Sequence, residues 1–340
     1  MQFKRIDELR VGMRLARPIY NKNGVLLFER EAKITEQGIA NIKNFGLIGL
    51  FILEPAEPAP PMTEEDREFE RFQTVNVFSL MDEIAKIKST GRTAKLSIIV
   101  ANIIRSYGHL EKKINFTQNL RSEEDHEYKH ALNVAILAAM MSNQLNCKVE
   151  DRLDVVTSAL LWPIKDYELI DKINSANPNV RRFRMQADML VRAATGGQME
   201  ENMKIMECGR ILAVAEMFDN MTAMQMDNTP ESEVATVKFL LDKEYFFNKE
   251  TVVSLTKSIN ILVPGICVEL NTGSKALILG ENERDMFKPT VLCFDNNEIM
   301  DLSTGAYSDI TIVDIMKTMD NRHVFGEAGN IPAEGTAEEQ

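Results

Sequence analysis

Residues 122–144, S-E-E-D-H-E-Y-K-H-A-L-N-V-A-I-L-A-A-M-M-S-N-Q, constrain the fold of this chain more than any other stretch. Leu132, Ala135, Ile136, Ala139 and Met140 recur at helical spacing, which predicts one largely buried helix with a polar first turn. Ser122, with Asp125 three residues later, has the pattern of a capping box at its start. His126 and His130 share a face of this helix. An imidazole one turn into an apolar helix either satisfies a core hydrogen bond or belongs to a site, and the function of the chain turns on which.

Around that helix, residues 67–260 have helical period almost throughout. Helices are expected near 67–88, 93–107, 123–145, 150–161, 180–195, 200–225, 231–243 and 249–259. Upstream, 1–54 reads as a small module. Strand-like runs at 15–20 and 25–28 flank Asn21-Lys22-Asn23-Gly24, where Asn-Gly supplies the positive φ angles of a hairpin; a helix at 34–45 and a strand at 48–53 follow. A proline-rich acidic segment, 55–66, reads as a linker. Downstream, short β-rich runs at 266–270, 275–279, 290–294 and 299–302 are separated by turn residues, so 261–320 reads as a small β-meander or barrel, and 321–340 as a disordered tail. The class expected is α+β, predominantly α: a helical bundle with a small N-terminal α/β module and a C-terminal β subdomain.

Charge narrows the partners. With 51 acidic against 39 basic residues and a formal charge of −12, the chain has no general excess of cations for a phosphate backbone, so no nucleic-acid partner is expected. Cys147, Cys208, Cys267 and Cys293 lie far apart without a C-x-x-C pair, which fits reduced thiols in a cytoplasm. Neither a signal peptide nor an apolar run of membrane-spanning length is present, and the expected location is cytoplasmic.

Two motifs carry candidate chemistry. His126-Glu127-Tyr128-Lys129-His130 is a literal H-E-x-x-H, the zinc-ligand pair with a glutamate base of zinc proteases, but it lies in an exposed first turn and no clear third ligand follows. The second constellation covers more of the chain: Tyr128-x-His130-x-x-Asn133-Val134-Ala135, an apolar helix at 155–161, then Ala213-Val214-Ala215-Glu216-Met217-Phe218-Asp219-Asn220-Met221-Thr222. In content and order this resembles the HD-GYP family, metal-dependent phosphohydrolases that open the bacterial second messenger cyclic di-GMP. The flanks agree, with Ile6-Asp7-Glu8-Leu9-Arg10-Val11-Gly12-Met13 before it and Pro264-Gly265-x-x-Val268-Glu269-Leu270-x-x-Gly273 after it. The resemblance spans about 3–315 and implies an HD-domain-like bundle.

Its chemistry implies histidines and aspartates converging on two or three metal ions, and here the chain departs. His130 matches the first ligand of the family, and His126 falls where some members place an extra carboxylate. Where the family's His-Asp pair is expected, this chain has Trp162 and Pro163, and neither side chain can bridge cations. No histidine lies between Pro163 and Ala213; Ala193-Ala194-Thr195-Gly196-Gly197 stands where paired histidines and the Gly-Tyr-Pro loop are expected. Glu216 replaces a late aspartate ligand, Lys165 matches a phosphate-contacting lysine, and Asp166 is a candidate displaced ligand. His126, His130, Asp166 and Glu216 therefore remain as a candidate residual metal set, for iron, manganese or zinc.

Met185, Met189, Met199, Met203, Met206, Met217, Met221, Met224 and Met226 are read either as a repacked cavity or as a compositional habit. Arg181, Arg182 and Arg184 form the densest basic cluster, a candidate dinucleotide contact or a solvated helix face. For His130 the alternatives are a buried imidazole bonded to a backbone carbonyl or to Glu216, and residual metal binding. The resemblance with these gaps implies a catalytically degenerate, non-enzymatic binding or scaffold module in cyclic di-GMP-related signalling, without a cofactor. Its expected partner is a signalling protein, a second copy of the chain, or cyclic di-GMP. The alternatives are a phosphodiesterase with a reduced metal site and, third, a zinc protease.

Overall fold

The computed structural model describes residues 2–44, 49–53, 62–118, 121–173, 177–198, 204–223 and 230–316. The segment 54–61, which holds most of the expected linker, and the expected tail lie outside the described residues, as do Phe45, Ile48, Met199, Met203, Met224 and Met226. Two units emerge, Met1–Thr63 with Met316–Gln340, and Glu64–Ile315.

In the first unit, β1 (Gln2–Arg5), β2 (Arg14–Leu15), β3 (Ile19–Tyr20), β4 (Leu26–Phe28), α1 (Glu36–Asn44) and β5 (Gly49–Leu53) enclose a small core of Leu9, Leu15, Ile19, Ile34, Ile42, Leu50 and Ile52. β1, β5 and β2 form an antiparallel sheet in that order, and β3 pairs with β4. The strand expected over 15–20 is two short strands instead. Pro18, which has no N–H to give a ladder, interrupts it between β2 and β3. The hairpin tip also differs from expectation: only Gly24 takes a positive φ, +73°, while the Asn21 carboxamide accepts the N–H groups of Asn23 and Val25. The side chain of Asn21 thus makes the turn that Asn-Gly was expected to make alone.

The second unit begins with α2 (Glu64–Thr90) and α3 (Leu96–Tyr107), followed by α4 (His126–Gln144), α5 (Val149–Leu160), α6 (Tyr167–Ile173), α7 (Asn179–Ala194) and α8 (Glu207–Thr222). Three further helices, α9 (Glu233–Asp242), α10 (Glu244–Phe247) and α11 (Lys249–Ser258), precede five strands. The protein is therefore α+β and predominantly helical, and among the described residues no helix is long and apolar enough to cross a membrane.

Every residue of α4 from His130 to Ser142 is buried, and α2, α3, α5, α8 and α11 all pack on it. Ala131, Ala135, Ala138 and Ala139 are all 0% exposed, and small side chains let several helices approach at once. The capping box expected of Ser122 and Asp125 forms, one turn ahead of the regular helix that starts at His126. Asp125 is the N-cap residue, preceded by a turn in which Ser122 N–H donates to Asp125 Oδ1 (2.8 Å) and Asp125 N–H to Ser122 Oγ (3.2 Å).

β6 (Cys267–Leu270), β7 (Lys275–Gly280), β8 (Thr290–Cys293) and β9 (Ile299–Asp301) form the expected meander, but β10 (Ile312–Ile315) returns to the free side of β6. The result is an open five-stranded antiparallel sheet, in order β10-β6-β7-β8-β9, rather than a barrel. Val268, Ile278, Val291 and Met300 on its inner face join the same hydrophobic core as the helices.

One contact fixes the α2–α3 corner. Glu83 of α2 is 2% exposed, and its carboxylate accepts the backbone N–H groups of Ala94 (2.6 Å), Lys95 (2.8 Å) and Leu96 (3.1 Å). It caps the start of α3, where orphan donors and the helix dipole both favour a negative charge. Glu83→Ala is expected to lower the unfolding free energy by about 2 kcal/mol in urea titrations. A change indistinguishable from wild type would refute this role.

Candidate functional site

Four elements converge below the first turn of α4. That helix contributes His126, His130 and Asn133 from one face; α8 contributes Glu216 and Asp219; α2 supplies Gln73; and the segment before α4 supplies Gln118 and Arg121. Asp219 is the hub. Its Oδ2 meets His130 Nδ1 at 2.6 Å, while Oδ1 accepts from Arg121 Nη2 (2.6 Å), Asn133 Nδ2 (3.0 Å) and Gln118 Nε2 (3.1 Å). A second layer locks the donors, since Asn133 also donates to Gln118 Oε1 (3.0 Å) and accepts from Gln73 Nε2 (2.9 Å).

The side chains of Arg121, His130 and Asp219 are all 0% exposed. Burial alone would raise the Asp219 pKa, but Arg121 and the His130 hydrogen bond outweigh it and hold the carboxyl well below the usual range. His130 moves down, chiefly through burial, so it stays neutral and its Nδ1–H donates to the ionised Asp219. Its other nitrogen, Nε2, is buried without a hydrogen-bond partner. The buried-imidazole alternative thus holds with a different partner: Asp219, neither a backbone carbonyl nor Glu216.

Trp162 occupies the other side of His130. After α5 ends, Trp162 N–H donates to Ala159 O (3.0 Å) and Ile164 N–H to Leu161 O (2.9 Å), a tight turn that buries Pro163 and swings the indole inward. The indole packs edge-to-face on His130 with ring centroids 4.5 Å apart, and on His126 at 6.5 Å. Two cations address the same ring, Lys165 Nζ 3.1 Å from its centroid and Arg184 Cζ at 5.2 Å. Glu216 lies beneath, 3% exposed, with Oε1 unpartnered. Burial pushes its carboxyl up to about 7, against the pull of Arg184 and Lys165.

The candidate metal donors are brought together only in part. The His126 and His130 rings stack with centroids 6.2 Å apart, and the Trp162 indole, which has no lone pair for a cation, lies against His130 at 4.5 Å. Asp166 is engaged elsewhere: its Oδ1 caps α6 by accepting Glu168 N–H (2.9 Å) and Leu169 N–H (3.2 Å). Among the described residues, no three His, Cys, Asp or Glu side chains gather in a metal-binding group. The protease motif fares no better, because Glu127 faces outward to Lys165 at 3.7 Å.

The arginine cluster does not converge either. Arg181 pairs with Asp171, exposed Arg182 reaches Met206 Sδ at 3.8 Å, and Arg184 turns inward, 4% exposed, toward Asp188 (3.3 Å) and Trp162. Positions 181, 182 and 184 point in different directions on α7, so the triplet is neither one phosphate site nor one solvated face. Of the described methionines, Met217 is buried and Met206 and Met221 pack on the core, but Met185 is 46% exposed. The group beside His130 is an indole and not a thioether.

Gln73, Gln118, Arg121 and Asp219 were not read as site residues from the sequence. Asp219 had the one available signal, its position one helical turn after Glu216. Comparison with family models, curated proteins and solved structures finds no match to this chain.

Asp219→Asn leaves the Arg121 charge buried and unpaired, and is expected to cost about 3–5 kcal/mol in chemical denaturation; a loss below about 1 kcal/mol would contradict the buried ion pair. Glu216 gives an opposite pH signature. Its pKa is raised from 4.5 to about 7, so the folded state holds a proton that the unfolded state releases. Its contribution is complete below pH 4.5 and is lost as pH rises through about 7. Wild-type stability measured against Glu216→Gln should fall across that window, and equal slopes for the two proteins would rule the assignment out.

Proposed function

We propose that this chain is a catalytically degenerate relative of the HD-GYP phosphohydrolases that acts without catalysis, as a binding or scaffold module in bacterial cyclic di-GMP-related signalling, with a cytoplasmic location. The observation that carries the reading is the placement of Trp162 and Pro163. They stand where the resemblance puts a cation-bridging His-Asp pair, and the indole packs edge-to-face against His130 with ring centroids 4.5 Å apart. The His130–Asp219 contact keeps the shape of the site by tying α4 to α8. A signalling protein or a second copy of the chain is the partner class, with cyclic di-GMP as the small ligand.

A second reading is a metal-dependent phosphodiesterase with a reduced site. One observation favours it: the neutral His130 has a buried Nε2 with no hydrogen-bond partner.

Metal analysis of protein purified without chelator, together with a cyclic di-GMP hydrolysis assay in manganese or iron(II), separates the two. Sub-stoichiometric metal and no linear dinucleotide product are expected, whereas stoichiometric metal with turnover overturns the first reading. Calorimetric titration with cyclic di-GMP then divides the first reading: micromolar binding without hydrolysis identifies a dinucleotide receptor, and no binding identifies a protein scaffold. Trp162 is the sole tryptophan, so its fluorescence reports occupation of this site directly.

A further inference from the structure

A cavity of about 630 Å³ in the second unit shares no residue with the Trp162 cluster. Its volume lies within the range of small-molecule sites, about 300–1,000 Å³. Helix α11 forms one wall, with Lys249, Val252, Val253, Thr256 and Lys257. Recurring every three to four residues, these positions share one helical face, and at about 1.5 Å per residue the two lysines start about 12 Å apart along its axis. The connection between β7 and β8 forms another wall and carries Glu283, Arg284 and Asp285 beside Met286 and Phe287. Its own side chains hold it in shape. Asn282 Oδ1 accepts the N–H groups of Arg284 (2.9 Å) and Asp285 (3.3 Å), Asn282 Nδ2 donates to Lys288 O (3.1 Å), and Asp285 Oδ1 accepts Phe287 N–H (3.0 Å).

Charge decides what this cavity can take. Lys113 and Glu281, both in the lining, pair with each other. Among the described residues, Lys249, Lys257, Arg284, Glu111 and Glu283 of the same lining have no ion pair. Cations and carboxylates thus surround apolar side chains together. The carboxylates of Glu111, Glu283 and Asp285 repel a polyanion, and a wholly apolar ligand would take charges out of water without pairing them. We propose that the cavity binds a short apolar peptide with free ends, two or three residues long. Its carboxylate pairs with the lysines of α11 and its ammonium group with Glu283, while its side chains lie on Val252, Val253, Met286 and Phe287. An extended chain covers about 3.3–3.6 Å per residue, so three residues run most of the length of the α11 wall. The preformed β7–β8 connection lowers the ordering cost of binding. This inference does not depend on the proposed function.

The test is calorimetric titration of the full chain with the tripeptide leucyl-phenylalanyl-leucine. Saturable binding at one site per chain is expected, weakened by about tenfold or more when the amino end is acetylated or the carboxyl end amidated. Triglycine, which has the same charged ends without apolar side chains, should give no saturable heat. Lys249→Gln combined with Lys257→Gln should bring the free peptide to the affinity of its amidated form, and Glu283→Gln to that of its acetylated form. All three side chains are exposed, so these variants keep the fold. The proposal is overturned if the free tripeptide does not bind, if the blocked peptides or triglycine bind as well as it does, or if the charge variants leave its affinity unchanged.

Discussion

The Arg121–Asp219–His130 contact is the interaction on which the helical unit depends. It joins the segment before α4 to α4 and α8, and the amide pair Gln118 and Asn133 extends it to Gln73 on α2. Two fully buried charges are expensive to desolvate, and pairing alone returns little net stability. What repays the desolvation here is the number of donors on a single carboxylate. Removing any one partner leaves the others stranded in an apolar interior, so the network specifies one arrangement of four elements more strongly than it stabilises them.

That network also explains the state of the residues around it. With Asp219 committed to Arg121 and His130, Glu216 is left buried with no donor on Oε1. One acid is therefore kept ionised and the other pushed toward neutrality, three residues apart on a single helix. The difference comes from neighbours and not from residue type: burial is opposed at Asp219 by Arg121 and the His130 hydrogen bond, whereas at Glu216 the pull of Arg184 and Lys165 does not overcome burial and the Asp188 charge.

The helices were largely readable because their apolar periodicity is local. Those expected near 123–145, 150–161, 180–195 and 249–259 lie within three residues of α4, α5, α7 and α11. Missed were α6 and α10, each too short to establish a period, β1, which pairs with β5 across most of the first unit, and β10, whose pairing with β6 bridges some forty residues and leaves no adjacent turn signal. The site was readable in part. His130 stood out as an imidazole in an apolar helix, and Trp162 and Pro163 as residues unsuited to a metal. Its partner did not stand out, because Asp219 is 89 residues from His130 and 98 from Arg121, and no local pattern encodes a contact at that range. Arg184 was misplaced for a related reason: a run of arginines looks uniform in one dimension, and only helical phase separates the one that turns inward.

The return of β10 to β6 bears on how the chain assembles as it is made. β6 to β9 form a hairpin series that can pair as each strand appears, yet β6 keeps an open flank until the much later β10 is available. Lys238 of α9 then pins the newcomer by donating to the carbonyls of Ile312 (2.5 Å) and Val313 (3.2 Å). Until that moment the nascent sheet presents bare backbone donors and acceptors to any other extended chain nearby. Loss of β10 would leave that flank of β6 bare, so the last strand guards against pairing between chains as well as completing the fold.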